Sequence, residues 1–323
     1  MKAAVYYETG KPEVLRYEDV PDPVCAPNGV VIDVRAIGIE GGDAGNRARG
    51  MLAARPHIVG YNCAGVVREV GAQVKDRKVG DRVTALMMHG SHAERAAVAA
   101  AATWLVPEGL SFEHAACVPV AWGTAHDCLF EFGRLQRGEK VLIQAGASGV
   151  GLACVQLARR AGAVVLATAG TKDKVARLES EFGVDHGIAY RDVDFVEAVQ
   201  KLTQNRGVEL VVDAVGGDTL QRSLLCLGYR GRAITVGNSS RGDMKIDPAP
   251  LAPGNRSLTG VFFGAEVALA NARVRAMLDG ILADLARGEL RVIVDRTFPL
   301  REAAAAHAFV ESRAAFGRVV LVP

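Results

Sequence analysis

"KVLIQAGASGVGLACVQLARRAG", residues 140–162, decides the fold. A short apolar run, Val141-Leu142-Ile143, leads into Gly146, Gly149 and Gly151, and a helical pattern follows at once. Glycines let a chain turn tightly and approach a pyrophosphate. The N–H groups and positive end of the helix then hold the anion. Ser148 takes one glycine position of the usual GxGxxG pattern. Such a match is weak by itself, since a tight turn in an α/β protein without a cofactor would look the same. "GASGV" also approaches a nucleophile elbow, but Val150 stands where that motif needs its second glycine. The context argues for the nucleotide reading. Apolar runs and helical stretches keep alternating: "VVLATA" (164–169), "HGIAY" (186–190), "VELVVDAV" (208–215), "GRAITVG" (231–237) and "RSLTGVFF" (256–263). Strands continuous in Val, Leu and Ile, each followed by a helix, predict a parallel sheet covered on both faces. The fold class is α/β with a doubly wound domain.

The strand after the glycine loop bears on the choice of nucleotide. An NAD site usually ends this strand in Asp or Glu, which holds the ribose hydroxyls. Here Thr168, Ala169, Gly170 and Thr171 put no carboxylate at the tip, and Lys172 and Lys174 flank Asp173. Lysines attract a 2′-phosphate and a carboxylate repels it, so NADPH is favoured over NADH. Decoration of a helix N-terminus is the alternative role for Lys172.

Up to about residue 118 the texture differs. Short alternating segments broken by glycine and proline, among them "AGVVREVG" (64–71), "GDRVTALM" (80–87) and "ERAAVAA" (94–100), predict an antiparallel, barrel-like domain. In the tail, "AEVALANARVRAMLDGILADLARGEL" (265–290) reads as one long amphipathic helix. "RVIVDRTFPL", "REAAAAHAFVESR" and "GRVVLVP" then read as strand, helix and strand, returning to the first domain. The expected domains are 1–122 completed by 264–323, and 123–263. The last strand of the parallel sheet offers an unpaired edge.

Composition narrows the function classes. The chain has 323 residues, half of them hydrophobic, and a net charge of +2. Its arginines are scattered, which gives no electrostatic case for nucleic acid or an anionic membrane. No apolar run approaches the roughly 20 residues of a membrane span. The opening "MKAAVYYETGKPEVL" lacks the apolar core of a signal peptide, and a cytoplasmic protein is expected. Cys25, Cys63, Cys117, Cys128, Cys154 and Cys226 are widely spaced, without a CxxC, and read as buried thiols rather than metal ligands or disulfides. His89 and His92 form HxxH in a loop with no evident third ligand. His307 reads as a surface or packing residue.

"AIGIEGGDAGNRARG" (36–50) sets a lone carboxylate, Glu40, at the mouth of a strand. In a dry cleft Glu40 would hold its proton and act as a donor or acid. Pairing with Arg47, or with the amide of Asn46, would instead make it structural, and that reading is preferred because the arginine is a ready partner. Asp43 reads as a helix N-cap ahead of "AGNRARG".

Taken with "VGDRV" (79–83), "GSHAERAAV" (90–98), "GLSFEHAACVPVAWGTAHDCLF" (109–130), "GVGLACVQLARRAGA" (149–163) and the closing "FGRVVLVP", the chain resembles the medium-chain dehydrogenase/reductase superfamily, in its zinc-free quinone oxidoreductase branch. The resemblance implies a GroES-like β-barrel catalytic domain plus a doubly wound Rossmann domain, with the active site in the cleft between them. Zinc-dependent relatives carry a ligand cysteine, a Gly-His-Glu motif and a second cysteine. The corresponding stretches here are Ile39-Glu40-Gly41, Gly60-Tyr61-Asn62 and Pro119-Val120-Ala121, so no catalytic metal is expected. The resemblance implies cofactor contacts from Thr124, Gly149, Val150, Lys174, Tyr190 and Asn238, with Lys174 and Tyr190 on the 2′-phosphate. Ser148 and Thr168, at the loop and strand tip, join them. Phe262 and Phe263 fall where the chain passes the nicotinamide. Glu40, Asp43 and Arg47 are the catalytic candidates, Glu40 replacing the family's usual Asn and Asp43 matching a family Asp. The activity implied is hydride transfer from NADPH to quinones, enones or enoyl compounds, in a homodimer. The alternatives are an NADPH-binding protein with little catalysis and a zinc alcohol dehydrogenase with atypical ligands.

Overall fold

The computed structural model describes Met1–Pro323, and the chain divides into two compact units: residues 1–123 with 264–323, and 124–263. In the first unit the strands are β1 (Lys2–Tyr6), β2 (Arg16–Asp19), β3 (Gly29–Gly38), β4 (His57–Ile58), β5 (Asn62–Val70), β6 (Arg82–Leu86), β7 (Arg95–Ala99) and β8 (Thr103–Leu105). Helices α1 (Gly41–Arg49), α2 (Phe112–Ala115) and α3 (Pro119–His126) accompany them, α3 running on into the second unit. Ten-residue β3 is buried along most of its length and pairs antiparallel with β5 and β7. Gly65 lies where β5 presses on β3, and a methyl there would collide with the Asp33 carbonyl oxygen.

The second unit holds β9 (Lys140–Ile143), α4 (Gly149–Arg160), β10 (Val164–Ala169), α5 (Lys172–Phe182), β11 (His186–Ala189), α6 (Phe195–Leu202), β12 (Val208–Asp213), α7 (Gly217–Ser223), β13 (Leu227–Thr235) and β14 (Ser257–Gly260). The sheet order β11-β10-β9-β12-β13-β14, parallel throughout, is the doubly wound arrangement. Val141, Leu142, Val165, Leu166, Leu210 and Val211 are fully buried, as strands covered on both faces require.

The tail returns to the first unit as α8 (Phe263–Leu269), α9 (Asn271–Ala286), β15 (Val294–Pro299), α10 (Ala303–Glu311) and β16 (Arg318–Val322). Strand β16 joins β3 antiparallel through Val320↔Gly38 and Leu321↔Ile37. Two sequence expectations are corrected here. The run 256–263 is not all strand: β14 stops at Gly260 and Phe263 opens a helix. The helix expected over 265–290 is interrupted at Ala270, where the Asn271 side chain donates to the Val267 carbonyl and competes with the backbone ladder.

Candidate active site and cofactor cradle

Glu40 follows the end of β3 and is the N-cap of α1. Its carboxylate is buried and has three donors. Arg318 Nη1 approaches Oε2 at 2.8 Å, Arg318 Nη2 binds Oε1, and Asn62 Nδ2 donates to Oε1 at 2.6 Å. The pairing follows from topology. Joining β16 to β3 sets Arg318, 278 residues away in sequence, beside the strand end that carries Glu40. Burial works against the Arg318 charge, but the Glu40 carboxylate more than offsets this and holds the guanidinium above the ordinary arginine value.

The expected Glu40–Arg47 pair does not form. Seven residues along a helix place Arg47 about 10 Å further up the axis, where it binds Glu311 and the Gly10 carbonyl. Asn46 turns instead to Tyr61, its Nδ2 donating to the phenol oxygen at 2.7 Å. Asp43 is not the N-cap but stands in the first turn, where its carboxylate accepts the Glu40 backbone N–H at 2.8 Å. Complete burial pushes the Asp43 carboxyl well above the usual carboxylate range, against the backbone hydrogen bond that would lower it.

In the second unit Ser148 caps α4, accepting the Gly151 N–H at 3.1 Å. A methyl on Gly151 would collide with the Ala145 carbonyl oxygen, and one on Gly146 would stand 2.9 Å from the Ala167 side chain. Bare backbone is thus required where helix, loop and strand meet, which fits a pyrophosphate cradle. Thr171 caps α5 through the Lys174 N–H, placing Lys172 and Lys174 in its first turn. Tyr190 and Arg191 follow β11, and a methyl on Gly170 would lie 3.3 Å from the Tyr190 hydroxyl and 3.5 Å from Arg191 Nε. Arg191 was not singled out from sequence. A cation directly after a strand-end tyrosine, beside the tip of β10, is the signal that could have found it.

The remaining expected cofactor contacts fall into two groups. Gly149 and Val150 begin α4, and Asn238 lies in the loop after β13, where it is held by Ser240 and the Gly242 carbonyl. Thr124 lies buried in α3. The Thr168 hydroxyl donates to Gln144 Oε1 at 2.7 Å and accepts the Ala145 N–H at 3.1 Å, so it ties the loop after β9 to the tip of β10. Phe263 is buried, whereas Phe262 is 64% exposed and open to contact.

Two family models match the chain: an alcohol dehydrogenase GroES-like domain over residues 26–123 and a zinc-binding dehydrogenase over 149–282. A quinone oxidoreductase of Sus scrofa is 31% identical over all of this chain and 98% of its own length. A 2-haloacrylate reductase of Burkholderia sp is 34% identical over 99% and 98%. The crystal structure of Escherichia coli quinone oxidoreductase complexed with NADPH superposes with a TM-score of 0.95, at 30% identity, each chain covered completely. The chain belongs to the zinc-free quinone oxidoreductase branch of the medium-chain dehydrogenase/reductase superfamily.

Against the superfamily's metal-site pattern, this quinone oxidoreductase relative has committed its donors elsewhere. Glu40 is taken by Arg318, Tyr61 and Asn62 replace histidine and glutamate, and no group of three or more His, Cys, Asp or Glu is placed to hold a metal ion. The HxxH pair also separates. His89 packs its ring near His57, while His92 Nε2 meets His307 Nε2 at 3.0 Å. His307, expected at the surface or in packing, is fully buried in this pair. Burial pushes His92 down to about 3 and His307 well below the usual imidazole value, helped by His92 itself and by Arg47.

A histidine held neutral by folding costs stability once the unfolded chain takes up protons. That contribution is complete above the unfolded value of about 6.5 and is lost as pH falls below it, toward the folded value. His92 should therefore cost about 2 kcal/mol between pH 6.5 and 5. The raised Asp43 works in the opposite sense, so the comparison to make is with His92→Gln. Guanidinium unfolding should show the wild type losing about 2 kcal/mol more than His92→Gln over that interval. Equal losses would rule the histidine out.

Proposed function

We propose that this protein is an NADPH-dependent oxidoreductase that transfers hydride to quinones or α,β-unsaturated carbonyl compounds without a catalytic zinc. The observation that carries the reading is the closed Glu40–Arg318–Asn62 network, which leaves no metal-binding set where zinc-dependent relatives carry one. Reduction of a simple ketone in the zinc-dependent pattern relies on a Lewis acid there. A conjugated acceptor does not, because the arriving electron pair spreads into an enolate or hydroquinone oxygen, and binding, orientation and hydrogen-bond donors suffice. NADPH supplies the hydride. Around it Ser148, Gly149 and Val150 would hold the pyrophosphate and Lys174, Tyr190 and Arg191 the 2′-phosphate, with Thr124, Asn238 and Phe262 as further contacts. Named relatives act on such acceptors: a quinone oxidoreductase, a 2-haloacrylate reductase and the CurK enoyl reductase.

Purified protein mixed with NADPH and 1,4-benzoquinone, a simple enone or an enoyl thioester should consume NADPH, followed by its absorbance, with at least one acceptor. NADPH binding without turnover of any of them would favour the non-catalytic reading. We also infer a homodimer joined along β14, which ends the six-stranded sheet. A monomeric mass in light scattering at micromolar concentration would exclude it. The six cysteines are all free, which suits a reducing compartment such as the cytoplasm, and no helix is long and apolar enough to cross a membrane.

A further inference from the structure

We propose that the Tyr61 hydroxyl donates the hydrogen bond that stabilises the acceptor's carbonyl oxygen during hydride transfer, with Asn46 as the residue that positions it. This deepens the reductase reading and rests on it.

The backbone around Tyr61 leaves its side chain little choice of direction. Gly60, just before it, has φ +119°, and any side chain there would collide with Ser91 and His92. Asn62, just after it, is tied to Glu40. The ring of Tyr61 lies across the first turn of α1, where a methyl on Gly42 would come 2.5 Å from Cε2. Tyr61 remains half-buried rather than sealed. On the same helix, methyl groups added at Gly41 or Gly45 would meet nothing within 4 Å.

Hydrogen-bond polarity then assigns the role. The Asn46 amide gives a proton to the phenol oxygen at 2.7 Å, and that is the hydroxyl's sole hydrogen bond within the protein. An oxygen already accepting is left with its O–H to give. Burial, the largest cause, raises the Tyr61 phenol above its ordinary value, so the proton stays on it at neutral pH. A nearby unpaired carboxylate would repel an oxyanion, but Arg318 neutralises Glu40 and burial favours the neutral form of Asp43. Tyr61 also stands at the histidine position of the zinc relatives' Gly-His-Glu motif. A neutral phenol there takes over the electrophile's task of drawing negative charge onto the carbonyl oxygen.

The electrons balance without a further reagent. Hydride brings a pair that forms the new bond at the β-carbon. The alkene π pair moves to join the α-carbon and the carbonyl carbon, and the carbonyl π pair settles on oxygen, where Tyr61 donates to it. Solvent then protonates the α-carbon of the enolate, and the oxidised cofactor leaves. A quinone takes the hydride at carbon in the same way, but solvent protonates its enolate oxygen and removes a proton from the carbon that received the hydride, so that the ring becomes an aromatic hydroquinone.

The test is Tyr61→Phe, which keeps the ring against Gly42 and removes only the hydroxyl. With the best acceptor, kcat/KM should fall about 100-fold, while the Kd for NADPH and the melting temperature stay at wild-type values. Asn46→Ala should lower kcat by roughly tenfold. It should also move the alkaline limb of the pH profile upward, because Asn46 donation favours the ionised phenol; a merely structural residue would not shift that limb. A Tyr61→Phe enzyme within threefold of wild type would overturn the proposal and leave the reductase reading intact. If the wild type turns over no acceptor, the reductase reading fails, and 4-nitrophenolate decides Tyr61 by itself. Binding to the protein–NADP⁺ complex, read from its absorbance, should be at least about tenfold weaker in Tyr61→Phe, and equal binding overturns the proposal.

Discussion

Replacing Arg318 with methionine should destabilise the first unit by about 3–5 kcal/mol. Arg318 gives two hydrogen bonds to Glu40, and both side chains are buried. Methionine keeps the aliphatic length and leaves the carboxylate with Asn62 alone. A buried charge stripped of its countercharge costs far more than the net worth of the pair, because the desolvation penalty remains when the compensation goes. The double variant Glu40→Gln with Arg318→Met removes both charges together and should recover more than half of the loss. Urea unfolding followed by tryptophan fluorescence measures both, with Trp104 and Trp122 in the first unit. An Arg318→Met midpoint near wild type would mean that water already solvates Glu40. Activity adds a second reading: if Glu40 serves only this network, the double variant should keep most of its kcat once folded. A collapse in turnover with normal stability would make Glu40 catalytic.

The misassigned partner of Glu40 shows where sequence reading stops. The parallel sheet was legible because each strand carries its own signal: Val141-Leu142-Ile143 and Val164–Ala169 are apolar runs whatever lies beside them. The Ser148 and Thr171 caps, found in the structure, carry an equally local signal in the helical residues just after them, since a cap acts within three residues. Glu40 is different. Its local neighbours offered a plausible arginine at Arg47, yet helix rise carries that residue two turns away, and the true partner arrives from β16 through strand pairing. Nothing near Glu40 encodes Arg318. The His92–His307 pair has the same character, its two members lying 215 positions apart. Thr168 shows a different limit. Its sequence position marks the strand tip, whereas its hydrogen bonds with Gln144 and the Ala145 N–H come only from the fold.

Loss of the cations at the second and third strand tips should reverse the preference between the two nicotinamide cofactors. Lys174 stands in the first turn of α5 and Arg191 beside Gly170, close to the Tyr190 hydroxyl. A 2′-phosphate bound there would gain charge-assisted hydrogen bonds, each worth about 1.5–3 kcal/mol. Lys174→Ala combined with Arg191→Ala should therefore weaken NADPH binding by at least about 100-fold and leave NADH binding within a fewfold of wild type. Tyr190→Phe, which loses one neutral donor, should cost less than either cation. Salt supplies an independent check. Attraction between exposed charges is screened within about 8 Å at physiological ionic strength, so the wild-type advantage for NADPH should shrink as salt rises, while the double variant's affinities stay nearly flat. Fluorescence titration of reduced cofactor measures all of these. Equal losses for NADPH and NADH would instead place the two cations on the pyrophosphate or the fold. Asp173, between two lysines at the same helix start, would then be the residue to examine for contact with the ribose hydroxyls.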